Sequence, residues 1–206
     1  MGLLSAQEHE RIEARIGDVE QRTAAEIVVV TSRSSDRYLD VRLGAATMSA
    51  LVAASIAHFV WPNLTVDEVL SLELLLGGLG FLLASQPWLL RRLVPRERSR
   101  IAVERACELS FLEHAAFETR DRTGVVIYLS ELEHQVAILG DKGIHARVET
   151  KGWSELVAHI VRSIHAGKAC DGVCEVVDRL GATLAEGAPI REGDTNELSN
   201  RVRQRG

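Results

Sequence analysis

The side chains best suited to chemistry in this chain are acidic. Glu26 opens one short apolar run, Asp121 precedes a second, and Asp141 closes a third. Carboxylates gathered from three segments offer oxygen ligands to a hard cation such as calcium or magnesium. A cation so held can polarise a phosphate ester. Glu26, Asp121 and Asp141 are therefore a candidate metal site, with calcium the first expectation. The plainer alternative is that Asp141 caps the turn before Gly143, and that Glu26 and Asp121 are solvated strand-edge charges. Cys170 and Cys174 form a second constellation, four residues apart on one helical face, with His165 nearby in sequence. Zinc sites normally take four ligands and no fourth is evident, so these read as buried thiols. His114, His134, His145 and His159 are scattered. There is no P-loop, Gly-x-Gly-x-x-Gly, His-Glu-x-x-His or Gly-x-Ser-x-Gly pattern, and no catalytic residue is assigned.

The elements that position these residues read as follows. Ser5, with Glu8 three residues later, marks a capping box at the start of a helix over Leu4–Arg22, whose stripe is Ile12, Ile16 and Val19. Glu26–Thr31 and Val125–Leu129 are short, continuous runs rich in β-branched residues, as expected of strands buried on both faces. Val136–Leu139 is a third run, closed by Gly140-Asp141-Lys142-Gly143, and its distance from the second is that of a hairpin. Helices are expected over Glu97–Glu118, from Trp153 to Gly167, and over Cys170–Leu184. The polar stretch 191–206 has no apolar face and is expected to be disordered.

Between the first two strands the composition changes. Leu43–Val60 carries no Asp, Glu, Lys or Arg, and approaches the ~20 apolar residues needed to span a bilayer core. A short connection over Pro62–Asp67 leads to a second apolar segment that ends near Leu90. Together they read as a transmembrane hairpin over 41–92, with spans at about 43–61 and 68–90. Arg33, Arg37 and Arg42 precede it, and Arg91, Arg92, Arg96, Arg98 and Arg100 follow it. The connection carries only Asp67 and Glu68, so positive-inside reasoning puts both flanks in the cytoplasm. Ala46, Ala50 and Ala54 on one span and Gly77, Gly80 and Ala84 on the other would let the two pack closely.

Without the hairpin, the order is helix, strand, helix, strand, strand, helix, helix. A βαβ unit followed by an antiparallel strand makes a small three-layer α/β/α sandwich with a mixed sheet. The expected limits are 1–40 for the first helix and strand, 95–190 for the rest of the domain, and 191–206 for the tail. The net charge of −5 excludes a basic nucleic-acid-binding surface as the organising feature. MGLLSAQEHER lacks a basic n-region before an apolar core, so no cleavable signal peptide is expected. Three cysteines do not make a disulfide framework.

AEIVVVTS (Ala25–Ser32), ETRDRTGVVIYLS (Glu118–Ser130), QVAILGDKGI (Gln135–Ile144), Trp153 and GKACDGVCEVVDRLGATLAEGAP (Gly167–Pro189) resemble the TPM-domain family, in particular a bacterial branch with a membrane hairpin inside the domain. The chain departs from the family at Glu133-His134-Gln135, where many members carry basic residues before the third strand. The resemblance implies a fold and a membrane location more than a chemistry. It also implies calcium binding or an acid-phosphatase-like activity, as described for some members. The expectation is thus a multi-pass protein of the inner (cytoplasmic) membrane whose cytoplasmic domain binds a protein partner or assists a membrane complex. The alternative is a weak calcium- or magnesium-assisted phosphatase.

Overall fold

The computed structural model of the 206-residue chain describes residues 3–23, 25–113, 123–145, 150–187 and 201–205. The architecture is mixed α/β. The chain divides into two compact units: Met1–Ser35 with Arg100–Gly206, and Asp36–Ser99.

The first unit is built on a four-stranded sheet in the order β3-β2-β1-β4. Strand β1 (Glu26–Ser32) runs parallel to β2 (Gly124–Ser130) over seven pairs, from Glu26 opposite Gly124 to Ser32 opposite Ser130. Both strands are buried throughout, as their apolar runs demand. β3 (Gln135–Gly140) returns antiparallel to β2 and, as an edge strand, is only half-buried.

Strand periodicity sends alternate side chains to opposite faces. Ile27, Val29, Val125, Ile127 and Leu129 join α1 (Ala6–Glu20), α7 (Thr150–His165) and α8 (Ala169–Gly187) in one core. Val28, Val30, Val126 and Tyr128 meet Val103, Ala106, Cys107 and Phe111 of α5 (Arg96–Glu113) in the other. The expected capping box is present: Ser5 Oγ accepts the Glu8 N–H, and the Glu8 carboxylate accepts the Ser5 N–H. Helix α8 packs tightly on its neighbours through glycine. A Cβ at Gly172 would lie 2.3 Å from Ser163 Cβ, and one at Gly181 would lie 2.4 Å from Val19 Cγ1.

The end of the chain departs from expectation. Instead of disorder throughout 191–206, Arg203–Arg205 forms β4, parallel to β1 from Val30 to Ser32. Residues 188–200 lie outside the described set. An uncovered strand edge presents a row of backbone donors and acceptors, which a short segment of almost any composition can pair. Val202 anchors the strand, packing on the core while its N–H donates to Glu13 Oε1 at 2.8 Å.

The second unit contains α2 (Leu39–Val60), α3 (Val66–Ala84) and α4 (Pro87–Leu93). α2 is long and apolar enough to cross a membrane, with a mean hydropathy of 1.7 and 11% of its apolar window buried. The continuous second span expected over 68–90 does not form. α3 ends at Ala84, and α4 leaves it at 90°. Pro87 explains the break, since it lacks the N–H and its ring blocks a continuing helix. It is tolerated at the first position of a new one, where it sits. Only when counted together do α3 and α4 pass the same test as α2.

α2 and α3 pack antiparallel through small residues. Gly77 faces Ala46 and Ala50, and a Cβ on Gly80 would approach Ser49 Cβ to 2.8 Å and the Ala45 carbonyl to 3.0 Å. Ala53, Ala57, Gly77, Gly80 and Ala84 are the buried positions. At the foot of α2, both carboxylate oxygens of Asp40 accept from Arg98, at 2.5 and 2.8 Å. Arg98 also lies 5.4 Å over the ring of Tyr38, a buried residue in the left-handed region with φ of 48°. Arg98 therefore clamps the start of α2 instead of standing as an isolated flanking charge.

Candidate functional site

The sheet register tests the acidic set directly. Glu26 stands opposite Gly124, and Val125 opposite Gly140. The Asp141 N–H donates to the Gly124 carbonyl at 2.9 Å, so Glu26, Gly124 and Asp141 follow one another along the amino-terminal edge of the parallel strands. Two of the three expected ligands are thus brought to one edge, and both are buried. Asp121 lies outside the described residues. Asp141 has a turn role as well: its Oδ1 accepts the Lys142 N–H at 2.6 Å, and its carbonyl accepts the Ile144 N–H at 2.9 Å at α6 (Lys142–His145). Glu20, which sequence reasoning did not single out, reaches the same edge, where its Oε1 accepts the Ile27 N–H at 2.9 Å. Among the described residues, no three His, Cys, Asp or Glu side chains are grouped to hold a metal ion.

The opposite edge carries a polar cluster, of which the sequence marked only Glu133, as a departure from the family pattern. Glu133, in the β2–β3 turn, is buried and acts as its hub. Its Oε1 accepts the Ser35 N–H at 3.0 Å and the Ser34 hydroxyl at 3.5 Å, while its Oε2 accepts the Ser130 hydroxyl. The Ser35 hydroxyl donates in turn to Ser130 Oγ at 3.0 Å, and Tyr128 Oη lies within hydrogen-bond reach of the Ser35 oxygen at 3.4 Å. Backbone bonds from Glu131 to Ser32 and from Leu132 to Arg33 extend the parallel pairing past the strand ends. A serine hydrogen-bonded to a carboxylate has the form of an activated nucleophile. Ser130, however, is wholly buried and Tyr128 equally so, and a nucleophile needs access. The cluster pins the loop leaving β1 to the turn leaving β2. Glu133 occupies the place where the family resemblance led one to look for a basic residue.

The cysteines are inert by the same kind of argument. Cys170 and Cys174 share a face of α8, hydrogen-bond to each other and are buried. Burial pushes Cys174 up to about 11, and Cys107, under the other sheet face, up to about 12. His165 stacks edge-on with His134 at 6.0 Å instead of joining the thiols. Each pH unit added to a thiol pKa removes a decade of thiolate at neutral pH. Cys107 in the folded chain should therefore react with iodoacetamide at pH 8 about a thousandfold more slowly than in urea. The folded pKa lies above the ordinary 9.0, so this group's contribution to stability is complete below pH 9 and is lost as pH rises through about 12. Rapid labelling of native Cys107, followed by mass spectrometry, would show the helix α5 face to be open.

A groove of about 590 Å³ runs between α1 and α8. Arg11 pairs with Asp171 and Arg15 with Asp178, both at 2.7 Å, so its charges are largely matched to each other. These pairs are exposed, and such pairs generally contribute little to stability.

No family model matches this chain, and no curated protein matches it. Among solved structures, it is similar to the BA42 protein of the psychrophilic bacterium Bizionia argentinensis, determined by NMR. The identity is 19%, the TM-score 0.62, and the match covers 98% of this chain and 95% of that one. At this identity the likeness carries the fold alone.

Proposed function

We propose that the chain is a multi-pass protein of the inner (cytoplasmic) membrane whose TPM-like α/β domain faces the cytoplasm and binds a protein partner or assists a membrane complex. The carrying observation is the outer surface of α2 and α3. Phe59 is 83% exposed, Leu74 79% and Leu75 68%, while glycine and alanine fill the seam between the helices. A water-soluble helix pair would reverse that arrangement, burying its large side chains. Close packing on small residues with large apolar side chains outward is how helices associate in lipid. The hydroxyls fit the same solvent: Thr47, Ser55 and Ser71 are exposed, yet each donates to the carbonyl four residues back, at 3.0, 2.8 and 2.7 Å. Side chains without water must satisfy themselves in this way.

Arginines on both flanks and none in the Trp61–Asp67 connection support the cytoplasmic orientation. A cysteine placed at Asn63 should react with a membrane-impermeant maleimide added to intact cells, whereas one at exposed Lys168 should not. Labelling confined to position 168 would reverse the orientation.

The second reading is a calcium- or magnesium-assisted phosphatase. Its support is the shared edge of Glu26 and Asp141, with Asp121 as the third ligand proposed for the cation. Metal-dependent hydrolysis of a generic phosphate ester, lost in Asp141→Ala, would favour it over a binding role.

A further inference from the structure

Helix α4 sits where a membrane surface would lie if α2 and α3 cross the bilayer. It turns 90° from α3, so it runs along the plane that α3 crosses. Its buried residue is Leu90. At 3.6 residues per turn, Arg92 lies about 40° to one side of Trp88 and Arg91 about 60° to the other; Trp88 and Arg92 stand about 160° from Leu90, and Arg91 about 100° from it, on the flank. Trp88 is 58% exposed, and Arg91 and Arg92 are exposed beside it. From Ser85 to Arg96 the chain carries Arg91, Arg92 and Arg96 and no acid. An exposed indole between two guanidinium groups suits the bilayer interface. The ring enters the headgroup layer, and the arginines reach phosphate oxygens by paired hydrogen bonds.

From this geometry we infer that α4 is an interfacial helix that binds the headgroups of anionic phospholipids, through Arg91 and Arg92, with Trp88 as its anchor. The site is distinct from the spans, although it rests on the membrane reading above. It gives the break at Pro87 a purpose. A straight continuation of α3 would bury two arginines in hydrocarbon or carry them past it, whereas the right-angle turn holds both at phosphate depth.

The test uses the full chain reconstituted in vesicles of phosphatidylcholine with or without phosphatidylglycerol. A W61F/W153F chain reports on Trp88 alone, and a W88F/W153F chain on Trp61 alone. Lipids brominated near the headgroup end of the acyl chain should quench Trp88 several-fold more than lipids brominated near its terminus. Phosphatidylglycerol co-purifying with the protein, measured against phosphatidylcholine, should fall by about tenfold or more in R91Q/R92Q, given roughly fivefold per arginine. It should recover in R91K/R92K, because a headgroup attracts either cation. Deeper quenching of Trp88 by the terminal bromines, or an unchanged lipid ratio in R91Q/R92Q, overturns the inference. Quenching of Trp61 with none at Trp88 overturns the interfacial placement and leaves the spans intact. Quenching of neither overturns the membrane reading and this inference together.

Discussion

Replacing Leu43–Leu90 with a short Gly/Ser linker should convert the protein into one that is soluble without detergent and unfolds in a single cooperative transition. Both core clusters, all four strands and the polar cluster around Glu133 belong to the unit made of Met1–Ser35 and Arg100–Gly206. Every described residue of the two core clusters lies outside the segment removed. The parallel register of β1 and β2 is fixed by seven residue pairs, and a one-residue slip would send every side chain to the opposite face, into a core shaped for its neighbours. The closure entropy of the β1–α5 connection changes only with the logarithm of its length, and a shorter connection lowers that cost. What disappears is the surface that holds Phe59, Leu74 and Leu75 against solvent. Thermal unfolding followed by circular dichroism is the measurement. A chain that aggregates without detergent, or shows no transition, would mean that the helical hairpin is part of the fold's core.

The regions where sequence and structure agree share a physical cause, as do those where they part. β1 and β2 were legible because burial on both faces forces a continuous run of β-branched residues, and EIVVVT and VVIYL are such runs. α1 announced itself through Ser5 and Glu8, a local motif that needs no tertiary context. β4 was invisible for the opposite reason. Its ladder is a backbone pairing, and RQR has no apolar pattern to betray it. The break at Pro87 did leave a signal. Apolar content on both sides of the proline outweighed it, because hydropathy averages over a window while a helix ends at one residue.

The candidate sites divide in the same way. Topology alone placed Glu26 and Asp141 on one edge, since strand order and direction fix which ends meet. The cluster around Glu133 could not be read, because a glutamate in a turn looks solvated until the fold closes over it. Ser34 and Ser35 likewise read as ordinary turn residues, although they cap that carboxylate across nearly a hundred positions of sequence. Long-range polar pairing has no periodicity, so it leaves no trace in a single sequence.

That cluster carries the largest single-residue effect expected in the domain. Glu133→Ala should destabilise it by about 3 kcal/mol, since charge-assisted bonds are lost and polar groups are left behind under cover. The Ser35 N–H and the Ser130 hydroxyl both lose their acceptor, and Ser130 is wholly buried, so water cannot readily replace it. Glu133→Gln should cost only about 1 kcal/mol. Its carbonyl oxygen can still accept the Ser35 N–H, and the Ser130 hydroxyl can rotate to accept from the new amide. The contrast separates polar satisfaction from side-chain packing, because Gln fills the volume that Ala vacates. Urea unfolding of the linker-replaced domain is the measurement, with equal slopes required for the two variants to be compared. Equal losses for Ala and Gln would show that the negative charge itself is indispensable. No loss in either would show that the loop after β1 is not held by this carboxylate, and the pinning role assigned to Glu133 would fall.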